Sequence, residues 1–261
     1  MSAFETITLD VADEVATLTL NRPERLNACP PQMADEVFSA TRQLGDARAL
    51  LIKGEGRAFC SGADLAASSE SAITGGDRSY LSLSKNYNPM IKAIATLPMP
   101  VVSAVNGPAA GVGCSLALAA DFVIAGKGGY FLQAFVNIGL VPDGGSSWML
   151  PRLVGLAHAN RMMMLGERIY GEEAERIGLI YKCVEDEEVM TEASALATKL
   201  AKGPTVALGR MKHNIRAGLD SDFSTTLHIE AEGQKIAGDS ADAHEGMSAF
   251  LEKRTAAFKG Q

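Results

Sequence analysis

The spacing of apolar positions changes along this chain, and the changes predict its elements. Two β-prone runs, ITLDV and VATLTL, flank Ala12-Asp13-Glu14 and read as a hairpin that Asn21-Arg22-Pro23 ends. Over residues 31–43, Met33, Val37 and, just beyond, Leu44 recur at helical spacing. ALLIK (49–53) and VVSAV (101–105) are unbroken apolar runs, as buried strands are, and residues 121–125 form a third. Between them lie a loop (54–62), a Ser-, Ala- and Gly-rich stretch of weak periodicity read as a mobile loop (66–80), a helix (81–97) ended by Pro98 and Pro100, and a helix (111–120). Alternating strand and helix predicts an α/β fold with parallel crossovers. Beyond residue 200 the pattern is helical only, so the chain divides into a core, 1–199, and a helical appendage or assembly element, 200–261.

Composition narrows the function. With 261 residues and 47% apolar content the chain can bury a full core. Its 24 Lys+Arg against 31 Asp+Glu give a net charge of -7, which disfavours nucleic acid as a partner. The acidic, alternating N-terminus has no signal-peptide pattern. The longest apolar stretch, 101–125, is interrupted by Ser103, Asn106, Ser115, Asp121 and four glycines or prolines, so no membrane span is expected. Cys29, Cys60, Cys114 and Cys183 form no CxxC pair, which argues against a zinc site or a disulfide framework and suits a reducing cytoplasm.

Two glycine-bearing loops follow buried strands: CSGADL (60–65) after ALLIK, and NGPAAGVGC (106–114) after VVSAV. Each lies where strand C-termini open into a crevice. The first N–H groups of the helix that Gly111-Val112-Gly113 opens lack internal partners, and two such loops converging would offer backbone donors to a developing oxyanion. The glycines alone fit tight turns and close packing equally well.

These residues resemble the crotonase superfamily, the enoyl-CoA hydratase/isomerase family. The likeness rests on SGADL and AVNGPAAGVGCSLALAADFVIA, with LNRPERLNA, IGLVPDGGSSWMLPRLVG, Ala174 to Ile180 and EGMSAFLEKRTAAF in the family's order. It implies an acyl-CoA-binding spiral of ββα turns with a helical C-terminal trimerisation region, hence a homotrimer or a dimer of trimers. A CoA thioester would be substrate, with no separate cofactor and no metal. The resemblance assigns the oxyanion donors to the N–H groups of Ala63 and Val112. It carries CoA contacts to Arg25, Leu26, Ala28, Ser61, Asp64, Leu65, Phe250 and Lys253, the last two often reaching a neighbouring subunit. Arg25 and Lys253 also read as solvated charges, and Phe250 as a helix core position.

Hydratases of this family use two glutamates, and the motifs put Ser115 and Phe135 at those places. Neither side chain can act as a general acid or base at neutral pH. Asp143, in Val141-Pro142-Asp143-Gly144-Gly145, falls where the family's segment reaches the acyl end of the tunnel. Isomerases acting on ring-epoxide, phenylacetate-derived or unsaturated acyl-CoAs often keep an acid there. A lone carboxylate suits a 1,3-proton shift, and apolar neighbours such as Phe135 and Trp148 would raise its pKa toward neutrality. Pro-Asp-Gly is also a favoured turn, in which aspartate bonds locally. An isomerase using Asp143 leads; a hydratase with an atypical acid/base pair and a non-catalytic acyl-CoA-binding homologue are the alternatives. A dehalogenase of the superfamily needs a histidine within 66–90, and none is there. His158, His213, His228 and His244 read as surface or packing residues, Cys60 and Cys114 as small buried hydrophobes, and Asp121 as structural.

Overall fold

A computed structural model describes residues 4–64 and 75–261. The hairpin forms as β1 (Ile7–Ala12) and β2 (Val15–Leu20), with Ile7 opposite Leu20. Asp13 and Glu14 take φ of 51° and 64°, the left-handed pair that a two-residue turn between twisted strands requires. Next come α1 (Pro31–Ala40), opened by a proline whose missing N–H has no helical partner to lose, and β3 (Ala49–Gly54).

The expected loop at 66–80 and helix at 81–97 need correction. Residues 66–74 lie outside the described residues, but α2 (Gly75–Ser82) is already helical and runs through a wider π-type turn, Leu83–Tyr87, into α3 (Asn88–Ala95). Pro89 explains the widening. It has no N–H to give Lys85, and its ring crowds the carbonyl four residues back.

Then follow β4 (Val101–Val105), β5 (Pro108–Ala110), α4 (Val112–Leu118), β6 (Phe122–Gly126), β7 (Tyr130–Leu132), and α5 (Ser146–Leu165), broken at Gly155 where φ is 71° and ψ 168°. The chain ends with β8 (Ile169–Tyr170), α6 (Gly171–Arg176), β9 (Lys182–Val184), α7 (Val189–Ala201), α8 (Thr205–Gly218), α9 (Phe223–Gly238) and α10 (Ala241–Glu252).

The main sheet has the order β1-β2-β3-β4-β6-β9, and every pair after the hairpin is parallel. A smaller sheet, β5-β7-β8, stands beside it. Alternate residues of the parallel strands serve opposite faces. Leu50, Ile52, Val101 and Val105 join α1, α3 and α4 in one core, whereas Leu51, Val102, Ala104 and Ile124 pack on Val189, Ala193 and Ala197 of α7. That double burial is why these strands read as unbroken apolar runs.

The helical tail is tied to the core by buried charge. Lys212 Nζ on α8 meets Asp121 Oδ2 at 2.8 Å and the carbonyls of Ile94 and Met99 at 3.3 Å. Asp121 also accepts from the Val101 N–H, so its role is structural, as expected. Arg48 reaches Thr205 Oγ1 at 3.0 Å and the Phe258 carbonyl at 3.2 Å. Among the described residues no helix is long and apolar enough to cross a membrane.

Candidate active site

Two isolated strand bridges build the crevice. Cys60 pairs with Ala109: its N–H donates to Pro108 O at 3.0 Å and its carbonyl accepts from Ala110 at 2.9 Å. Cys29 pairs with Ala63, donating to Gly62 O at 2.7 Å and accepting from Asp64 N at 3.0 Å. A parallel bridge uses the groups on either side of the facing residue, so Ala63's own N–H turns away from Cys29. Among the described residues it has no hydrogen-bond partner, and neither has the Val112 N–H at the start of α4.

The glycines make this approach possible. A Cβ on Gly113 would lie 2.3 Å from the Cys60 carbonyl oxygen, and one on Gly62, whose φ is 111°, would lie 3.2 Å from Ala110 O. The close-packing and donor readings of these loops therefore hold together: glycine permits the close approach, and the bridge geometry and the start of α4 leave the two N–H groups unpaired among the described residues.

The described residues enclose a crevice of about 290 Å³, and Ser61, Ala63, Val112, Phe135 and Asp143 all line it. Phe135 packs over Gly111, its Cζ 3.6 Å from where a Cβ would stand. The Asp143 turn is closed by its main chain: the Asp143 carbonyl accepts from Ser146 N at 3.1 Å and Ser115 Oγ at 3.0 Å. Its carboxylate takes no part in the turn. Oδ1 is buried without a hydrogen-bond partner among the described residues, and burial pushes the carboxyl from its ordinary range up to about 6. Ser115 is fully buried behind this turn and outside the crevice lining.

Two larger cavities, about 660 and 510 Å³, lie against α8, but their carboxylates are taken. Asp121 is paired with Lys212, and Asp220 with Arg152 at 3.3 Å. Trp148 lines the second of these, its indole N–H donating to Asp220 at 3.1 Å and its ring under Arg152. The expectation that it borders the acyl pocket fails. On the first turn of α5 it faces the α8 cavity rather than the crevice that holds Asp143.

The fold around this site is shared with known proteins. A model of the enoyl-CoA hydratase/isomerase family matches residues 10–261. The chain belongs to that family. It is 44% identical over 260 residues to a Rhodobacter capsulatus protein named "Probable enoyl-CoA hydratase", covering 99% of this chain and all of that one. It is 41% identical over 260 residues to the 1,2-epoxyphenylacetyl-CoA isomerase of Escherichia coli, covering 98% and 99%. The crystal structure of an enoyl-CoA hydratase from Bacillus anthracis superposes with a TM-score of 0.92 at 29% identity, covering 98% of this chain and all of that one. The crotonase-type α/β fold with its helical C-terminal region follows, and the protein is an enzyme of this family; the non-catalytic alternative falls away.

In this family member the segment expected to meet CoA is a tight loop. Arg25 is exposed, Leu26 has φ of 52°, and the Leu26 carbonyl accepts from Ser61 N at 3.0 Å. The Ala28 carbonyl accepts from Arg22 Nη1 at 2.6 Å. Asp64 Oδ2 meets Arg22 Nη1 at 2.9 Å, and the residue is 8% exposed. Leu65 lies outside the described residues. Phe250 is 82% exposed on α10, so it is no core position, and Lys253 caps that helix at φ 57°. Neither lines the crevice of this chain.

Several residues of the site escaped the sequence reading. Asn27, fully buried, donates to the carbonyls of Glu55 and Ala58 and accepts from Arg22 N at 2.8 Å, which holds the loop at residues 22–28. Tyr87 lines the crevice and donates to Cys29 O at 2.8 Å; burial raises its phenol pKa. Arg78, Ser79 and Ser82 line it from α2. The Asn within LNRPERLNA was a readable signal; the π-type turn that aims Tyr87 was not. Burial pushes the Cys60 thiol up to about 11 and Cys114 up to about 12, so both behave as buried hydrophobes. None of the four histidines lines the crevice.

Proposed function

We propose that the protein is an enoyl-CoA double-bond isomerase in which Asp143 moves the proton. The observation that carries this is the unpartnered, buried Asp143 Oδ1 in the crevice that also holds the free N–H groups of Ala63 and Val112. The thioester oxygen sits between those two donors. The Asp143 carboxylate takes a proton from one carbon, charge spreads into a dienolate whose oxyanion the donors hold, and the carboxyl returns the proton two carbons along. Each donor is worth about 3 kcal/mol in the transition state. With a pKa near 6 the carboxyl is ionised at neutral pH, yet basic enough to accept the proton.

Ser115 and Phe135 at the hydratase glutamate positions support this over water addition, as does 41% identity to a protein named an isomerase. The relative at 44% identity named as a hydratase favours the second reading, an enoyl-CoA hydratase with another acid/base pair. Product analysis on 2-enoyl- and 3-enoyl-CoA thioesters separates them. Interconversion without water uptake supports the isomerase, and a 3-hydroxyacyl-CoA product overturns it.

The same reading makes a CoA thioester the substrate and uses no separate cofactor. It places the CoA phosphates near Arg25 and brings Phe250 and Lys253 to a neighbouring subunit of a cytoplasmic trimer or dimer of trimers. The exposed apolar positions Met247, Phe250 and Leu251 of α10 suit such an interface.

A further inference from the structure

Behind the Asp143 turn runs a chain of buried polar side chains that the mechanism above does not use. Gln133, Ser115 and Ser146 are each fully buried. Gln133 Nε2 lies 3.0 Å from Ser146 Oγ, Ser146 Oγ lies 2.9 Å from Ser115 Oγ, and Ser115 Oγ lies 3.0 Å from the Asp143 carbonyl oxygen. With Gln133 Nε2 donating at one end and the Asp143 carbonyl accepting at the other, the chain has one direction. The Asp143 carbonyl can only accept and the Gln133 NH₂ can only donate, so each hydroxyl between them accepts once and donates once. Gln133 Oε1 is buried without a hydrogen-bond partner among the described residues, so the amide meets this chain through its NH₂ alone.

Packing locks the last link. A Cβ on Gly144 would stand 2.7 Å from Ser115 Cβ, so the turn carrying Asp143 rests directly on Ser115. The Ser146 hydroxyl donates to Ser115 and the Ser115 hydroxyl to the Asp143 carbonyl, so neither proton is offered to the Asp143 carboxylate, whose Oδ1 has no partner among the described residues. The chain therefore fixes where the carboxylate stands without hydrogen-bonding it.

We propose that Ser115, backed by Ser146 and Gln133, is a positioning residue: it holds the Asp143 main chain so that the carboxylate stays in reach of the substrate and bare of donors. This rests on Asp143 being the proton shuttle. A displacement of about 1 Å at a reacting group costs about a hundredfold in rate. Ser115→Ala should lower kcat on trans-3-hexenoyl-CoA by about tenfold to a hundredfold and leave KM within about twofold. A carboxylate freed to reach water should also show a lower apparent pKa in its kcat profile; Arg78 and Tyr87 are the other titratable groups lining the crevice, and the Tyr87 phenol is electrostatically coupled to Asp143.

The experiment measures kcat, KM and the pH profile for the wild type, Ser115→Ala, Ser146→Ala, Asp143→Asn and the Ser115→Ala/Asp143→Asn pair. Ser146→Ala cuts the chain one link back and gives the same readout if Ser115→Ala does not fold. The expected result is a kcat-only loss with a lowered apparent pKa in both serine variants, and no further loss when Ser115→Ala is added to Asp143→Asn. Wild-type kcat and pH profile in the folded serine variants, with Asp143→Asn inactive, overturn the positioning role and leave the proton shuttle standing. Full activity in Asp143→Asn overturns both.

Discussion

Arg22 and Asp64, 42 positions apart, meet at 2.9 Å. The same Nη1 holds the Ala28 carbonyl, so one guanidinium ties the loop at residues 22–28 to the segment that carries Ala63. Removing the guanidinium deletes both of these bonds and takes its charge from beside the largely buried Asp64. Arg22→Met should cost about 2–3 kcal/mol of stability, read by denaturant unfolding. Arg25→Met, at an exposed position, should leave stability within about 0.5 kcal/mol and weaken CoA binding. Equal stability losses in the two variants would contradict the division of labour.

Burial of Asp143 makes a signed prediction about pH. Its folded pKa of about 6 lies above its ordinary value of 3.8, so the native state binds the extra proton between those values. The contribution of Asp143 to stability therefore falls as pH rises from about 4 to about 6 and stays unfavourable above that. Asp143→Asn should be more stable than wild type by about 1–2 kcal/mol at pH 8, and the gain should vanish by about pH 4. Catalysis runs the other way: kcat should rise with pH through about 6 as the carboxylate ionises.

The Lys212–Asp121 pair anchors α8 to the sheet, and Lys212 is only 7% exposed. Burial lowers the Lys212 pKa while the Asp121 charge opposes that fall. Asp121→Asn strands the ammonium and should cost about 3 kcal/mol, with earlier proteolysis of the helical tail.

Gly113 and Gly76 make a matched pair of tests. A Cβ at 113 would meet the Cys60 carbonyl at 2.3 Å; one at 76, on α2, would meet nothing within 4 Å among the described residues. Gly113→Ala should move α4 off the Cys60 strand and abolish turnover, with more than about 2 kcal/mol of stability lost. Gly76→Ala should be neutral, or stabilising by about 0.5 kcal/mol.

Most of the scaffold was legible because it rests on local pattern. The runs ALLIK and VVSAV became β3 and β4, the AVNGPAAGVGC segment became the turn into α4, and Ser61, Ala63, Val112, Phe135 and Asp143 do share one crevice. What stayed hidden depends on distant residues or on rotation within a helix. The Arg22 contact that occupies Asp64 joins residues far apart in sequence. Trp148 follows the Asp143 turn so closely that only the rotation of α5 shows it facing Asp220. The π-type turn before Pro89 breaks a period that the sequence presents as continuous, and β7 and β8 are too short to leave a periodic signal.

The most direct test of the central claim is the initial rate of trans-3-hexenoyl-CoA conversion by wild type and Asp143→Asn at pH 8, with CoA affinity measured alongside. The account predicts a loss of about 10³-fold or more in the variant, unchanged CoA binding, and a 2-enoyl product in the wild type. A variant within tenfold of wild type, or a wild type that yields only hydrated product, would contradict it.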